Sequence, residues 1–111
     1  MNQEQYERAL TAVRNDCTCS GVLVNDVGET CALGAMGLAA GFSKKKLSNL
    51  QQYQEIYDAY GLAHHEGDQV YDTNDLSDTI IARRRNVANV LHRLAKLYKL
   101  DVKPMGYEAM P

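Results

Sequence analysis

The sequence predicts a mainly α-helical, compact single domain of about four helices, with room for a short β element near residues 20–28. Three observations carry this. The run 30–41 holds no charged residue in a chain that is otherwise richly charged. Two longer stretches, 43–60 and 75–100, repeat apolar residues every three or four positions, which is the period of a helix with one buried face. Ser43 and Asp75 stand as caps where those stretches begin, and Gly61 stands as the stop of the first.

The first helix is expected over 3–14. Asn2 and Gln5 have the spacing of a capping box, and Tyr6, Ala9, Leu10 and Val13 follow at helical spacing. Between 15 and 29 the period disappears. Asn-Asp occurs twice, and Gly21 and Gly28 bracket the β-prone Val22, Leu23 and Val24, so a small hairpin arm turning at 25–28 is expected. The apolar run is the central helix, capped by Thr30 and stopped by Gly41. It is too short to cross a bilayer, which takes about 20 apolar residues. Gly34 and Gly37 each cost a helix about 1 kcal/mol against alanine, so neighbouring backbones are expected to come close there.

Ser43 caps a third helix predicted to reach Tyr60, with Gly61 as its stop and Leu47, Leu50, Tyr53, Ile56, Tyr57 and Tyr60 as its apolar stripe. Lys44, Lys45 and Lys46 oppose the dipole of its first turn, so its start is expected there or nearer Ser48. Residues 62–74 have no period and read as a loop, with Val70 and Tyr71 pairing briefly with 22–24. Asp75 starts the final helix, with Thr73 and Ser77 as alternative caps. Its stripe runs through Ile80, Ile81, Val87, Val90, Leu91, Leu94, Leu97 and Tyr98 to about residue 100. The domain is expected to span 1–103, with 104–111 as a mobile tail.

The chain has 111 residues, 45% of them hydrophobic and 7% aromatic, and a formal net charge of −2. That charge argues against a general nucleic-acid binder. It hides an asymmetry. Glu55, Asp58, Glu66, Asp68, Asp72, Asp75 and Asp78 follow one another with no Lys or Arg between them. From Arg83 to Lys103 there are seven cations against Asp101 alone. No apolar leader stands at the N-terminus, and three cysteines make an odd number, so reduced thiols in a cytoplasmic chain are expected.

Several short motifs together resemble a group of small phage, prophage and bacterial proteins. Residues 28–35, Gly-Glu-Thr-Cys-Ala-Leu-Gly-Ala, match the Cys-Ala-Leu-Gly-Ala signature of that group. Tyr60-Gly61-Leu62, Asn74-Asp75, and Arg84-x-x-Val87-x-x-x-Leu91 match its turn, the pair before its last helix and the pattern within that helix. The gap between Asn74-Asp75 and the arginines is wider here than in the group. The resemblance implies a helical fold and a mobile-element origin, and no reaction.

No catalytic constellation, metal site or cofactor site is expected. Cys17-x-Cys19 is tighter than a usual zinc pair, and the adjacent His64 and His65 cannot easily face one ion. Cys31 opens a helix, as an activated thiol often does, but its apolar surroundings favour burial. Ser43-x-x-Lys46 lacks the companion motifs of serine–lysine acyl transfer. Asp72-x-Asn74 with Asp78 lacks the glycine and glutamate of a calcium loop. The polar cluster that remains is Arg83, Arg84 and Arg85. Successive residues on a helix point about 100° apart, so they cannot all face one partner. At least one is expected at the core edge, neutralised by Asp72, Asp75 or Asp78.

The leading functional expectation is therefore a non-enzymatic, phage-encoded interaction protein that binds a host protein or complex, as inhibitors of host defence do. The candidate partner-binding residues are Arg83, Arg84, Arg85, Arg93, Lys96, Asp72, Asp75 and Asp78. A second expectation is a small-ligand or enzymatic site at Cys31, Asn74, Asp75 and one of the arginines 83–85. A third is nucleic-acid binding through the basic final helix, and self-association through tyrosines of the third helix is a further option. No membrane partner is expected.

Overall fold

The run 30–41 does form the central helix, and the remaining elements are built around it. The structure is a computed structural model and describes residues 1–104. Among the described residues there are six helices: α1 (Gln3–Asp16), α2 (Ala32–Ala39), α3 (Lys44–Asn49), α4 (Gln54–Ala59), α5 (His64–Leu76) and α6 (Ile80–Leu97). The α2 helix packs against α1, α3, α4 and α5, while α6 closes the domain by lying on α1 and α5.

The capping box of α1 forms as expected. Gln5 N donates to Asn2 Oδ1 at 2.8 Å, and Asn2 N donates to Gln5 Oε1 at 2.8 Å. The turn at 25–28 also forms, with Asn25 N donating to Glu29 O, Gly28 N donating to Asn25 O, and Gly28 in the left-handed region at φ +84°. The β element is reduced to isolated bridges from Thr30 to Cys17 and to Val24. Thr30 does not cap α2. Its hydroxyl donates to Asp16 O, and Cys31 is the cap, its sulfur accepting from Gly34 N.

The single helix expected over 43–60 is two. Ser43 caps α3 through Lys46 N, so the three lysines do sit in its first turn, exposed to water that screens them from the dipole. The helix ends at Leu50, and the chain resumes as α4. Leu47, Ile56, Tyr57 and Tyr60 still reach the core, because the bend turns both pieces toward α2.

The expected loop over 62–74 is the helix α5, and Val70 and Tyr71 lie within it rather than in a strand. Its buried face is made of Glu66, Gly67, Val70 and Asn74. Tyr57 lies against Gly67, where any side chain would overlap its ring. Glu66 caps the helix start, accepting from Ala63 N at 2.8 Å and from the Tyr98 hydroxyl at 2.6 Å. Burial opposes its charge, but these two donors outweigh it and hold its carboxyl below the usual range. The final helix begins at Ile80 rather than near Asp75. Thr79 is its cap, accepting from Ala82 N, and Tyr98 ends it. The expected tail lies outside the described residues except for Pro104.

Candidate functional site

The α5–α6 hairpin carries all eight candidate residues, and its two helices treat them differently. The arginine triplet is split by the helical period. Arg83 is 7% exposed and points inward. Its guanidinium donates to Asn74 O at 3.1 Å, Thr18 O at 3.1 Å and Ser77 O at 2.8 Å. The expected carboxylate partner is replaced by three backbone carbonyls, a set that a planar five-donor group can satisfy in one plane. Arg84, half-buried, reaches across to α1 and donates to Cys17 O at 2.9 Å. Arg85 is half-buried on the outer side of α6, and Arg93 and Lys96 are exposed further along it.

Asn74 lies under this arginine layer, 0% exposed. Its Oδ1 accepts from Ala32 N at 3.0 Å and from the Cys17 thiol at 3.2 Å. Its Nδ2 donates to Cys19 O and Asp75 Oδ1, both at 3.1 Å. Asp75 in turn accepts from Gly21 N at 2.9 Å. One amide side chain thus joins the start of α2, the loop after α1 and the last turn of α5. Of the ligand-site expectation, Asn74, Asp75 and Arg83 are bonded to one another, while Cys31 spends its own bonds on Leu23 O and Gly34 N. Sequence spacing brought Cys31, Asn74 and the arginines to notice, but which of their atoms meet is set by the tertiary fold.

The thiols belong to the same cluster. Burial, with the neighbouring Cys31 next, pushes the Cys17 thiol up to about 12. Burial also pushes Cys31 up to about 11. Cys19 is shifted upward as well, by burial and by Glu29, and is the most exposed of the three. An alkylating reagent will modify Cys19 in the native chain and leave Cys17 and Cys31 intact until denaturant is added; fragment-ion mass spectrometry of the tryptic peptide 15–44, which holds all three, checks this. Because the folded values of Cys17 and Cys31 lie above the unfolded ones, their contribution to stability is complete below about pH 9 and is lost between about pH 9 and 12. Thermal midpoints should therefore fall on the alkaline side.

Asp72 and Asp78 are exposed at the corner where α5 turns into α6, and Asp75 is half-buried. The same corner exposes Leu76, Ile80 and Ile81, at 83%, 44% and 47%. Ile80 and Ile81 were expected in the core stripe, but the chain reaches α6 only at Thr79, so the first turn of the helix overhangs the core. The basic residues do not join this corner. Arg93 and Lys96 lie about 20 and 24 Å along the axis from the start of α6, at the 1.5 Å rise of a helix.

His64, set aside above as a zinc ligand, meets Asp68, which stood out in the sequence only as one of the acidic run. His64 Nε2 lies 3.2 Å from Asp68 Oδ2, and the Tyr57 hydroxyl donates to Asp68 Oδ1 at 2.8 Å. The spacing of four between His64 and Asp68 was visible, but only a helix there brings them together.

Among the described residues, no group of three or more His, Cys, Asp or Glu side chains is arranged to hold a metal ion, and no helix is long and apolar enough to cross a membrane. Compared with protein-family models, with curated proteins and with solved structures, the chain matches none.

Proposed function

We propose that this chain is a non-enzymatic interaction protein that binds a host protein or complex through the α5–α6 corner, as a phage-encoded inhibitor of a host defence system would. The observation that carries the reading is the corner itself. Leu76, Ile80 and Ile81 stand in the open within six residues, rimmed by Asp72 and Asp78. Exposed aliphatic side chains grouped inside a polar rim are the usual mark of a surface that another protein covers. Full burial of each is worth about 1.5–3 kcal/mol. The polar interior supports the same reading, because Asn74, Arg83, Arg84 and Cys17 spend their hydrogen bonds on the fold. The phage attribution rests on the motif resemblance around residues 28–35, and the defence attribution on analogy with small phage accessory proteins.

Affinity purification from bacterial lysate, with the tagged chain and an Ile80→Asp/Ile81→Asp variant, tests it. The parent chain is expected to retain a defined protein at low salt. The variant should lose at least about 90% of it, as removal of two central aliphatic anchors does. Its thermal midpoint should stay within about 8 °C, because two exposed substitutions at under about 0.5 kcal/mol each cost under about 1 kcal/mol together. Equal recovery by both chains, or no partner with either, would overturn the reading.

A further inference from the structure

An open cleft of about 340 Å³ lies between the α3–α4 linker and the first turns of α5. Its floor is Tyr57, whose ring is buried and whose hydroxyl is fixed on Asp68. Tyr53 forms a wall, held in place by ring contact with Tyr71 at 5.2 Å between centroids. His64 stands edge-on to Tyr57 at 5.8 Å, and its Nδ1 lies 3.4 Å from Gln54 Oε1. The linker adds the exposed amides of Gln51 and Gln52. The cleft thus offers one carboxylate, amide oxygens and aromatic surface, and it lies in the half of the chain that has no Lys or Arg between Glu55 and Asp78.

We propose that this cleft receives an arginine side chain of the protein partner. The inference rests on the partner-binding reading for the source of that arginine, and on the cleft alone for its chemistry. A guanidinium carries five N–H donors and no acceptor, and it stacks on aromatic rings. Asp68 and the glutamine oxygens supply acceptors, and the half-buried Tyr53 supplies ring surface beside them. Asp68 lines the cleft with a half-exposed side chain, and a carboxylate has about four lone-pair sites, more than the Tyr57 hydroxyl and His64 use. An ammonium, compact and strongly hydrated, would use the acceptors and forgo the stacking. The volume is at the small end of the range for ligand pockets, about 300–1,000 Å³, which suits one side chain.

Titration of the isotope-labelled chain with N-acetyl-arginine methylamide, followed by amide NMR shifts, tests this without any partner. Saturable shifts are expected at residues 51–54, 64 and 68, with millimolar affinity. The isosteric, uncharged N-acetyl-citrulline methylamide should bind at least tenfold more weakly. Asp68→Asn, which keeps an acceptor for the Tyr57 hydroxyl and so keeps the fold, should weaken arginine at least fivefold. A flat titration, equal shifts with citrulline, or shifts confined to other surfaces would overturn the proposal. Because only this chain is present, such a failure would leave corner-dependent capture standing. Loss of capture alone would likewise leave the titration standing.

Discussion

Replacing Gly34 with alanine will lower the thermal midpoint of the chain by about 10–20 °C, corresponding to about 2–3 kcal/mol for a domain of this size. A β-carbon at Gly34 would overlap the carbonyl oxygen of Leu23 and stand 2.9 Å from its carbon and 3.1 Å from Thr30 Cβ. The obstacle is backbone, held in place because that same oxygen accepts from Cys31 N. The gain in helix propensity from glycine to alanine, about 1 kcal/mol, opposes the clash without matching it. Gly37 provides the comparison. A β-carbon there meets Leu47 Cδ2 at 2.7 Å, the end of a side chain that can rotate away. Gly37→Ala should cost less than half as much. Circular dichroism melts of both variants decide the matter; a Gly34→Ala chain as stable as the parent would mean that the approach of the two backbones is not what the structure shows.

Asn74→Ala is expected to be at least as damaging, at about 3 kcal/mol or more, read as a shift of the urea midpoint with an unchanged slope. Truncation strands Ala32 N–H and Cys19 C=O, both of which depend on this amide. Each polar group buried without a partner costs about 1–3 kcal/mol. It also removes the acceptor of the Cys17 thiol. Asp75→Ala should be milder, since the Gly21 amide it releases is exposed and can turn to water. If the two substitutions cost the same, Asn74 would not be the joint described above.

The parts of this fold that were legible are those where burial is apolar and capping is local. The Asn2–Gln5 box, the turn at 25–28, the run around Leu33 and Met36, and the body of α6 from Val87 to Leu94 all follow from neighbours in sequence. The helix α5 was illegible for a physical reason. It packs with Gly67, Glu66 and Asn74, so its inner face looks like solvent-exposed sequence and only Val70 carries the apolar period. The break between α3 and α4 was hidden in the opposite way. Leu47, Ile56 and Tyr57 face the core on both sides of the bend, so the stripe ran through it unbroken. At the candidate site, the corner acids were visible from charge alone. The aliphatic patch beside them was not, because Ile80 and Ile81 continue the stripe of α6 and only the position of Thr79 shows that they overhang. One of the three arginines was expected at the core edge; the structure makes it Arg83, and its carboxylate partners were misjudged because backbone carbonyls leave no trace in composition.

The Asn74 joint has a consequence for the order in which the chain can take shape. Thr18, Cys19 and Gly21 are held by Arg83, Asn74 and Asp75, more than 50 residues later in the sequence. As the chain is made from its N-terminus, α1 can wind as soon as it emerges, but the segment that follows has no local ladder to settle into. Its final shape waits for α5 and α6, so the loop beside the first helix is among the last parts of the molecule to become native. Contacts between residues far apart in sequence go with slower folding. Here one arginine, one asparagine and one aspartate decide when the wait ends.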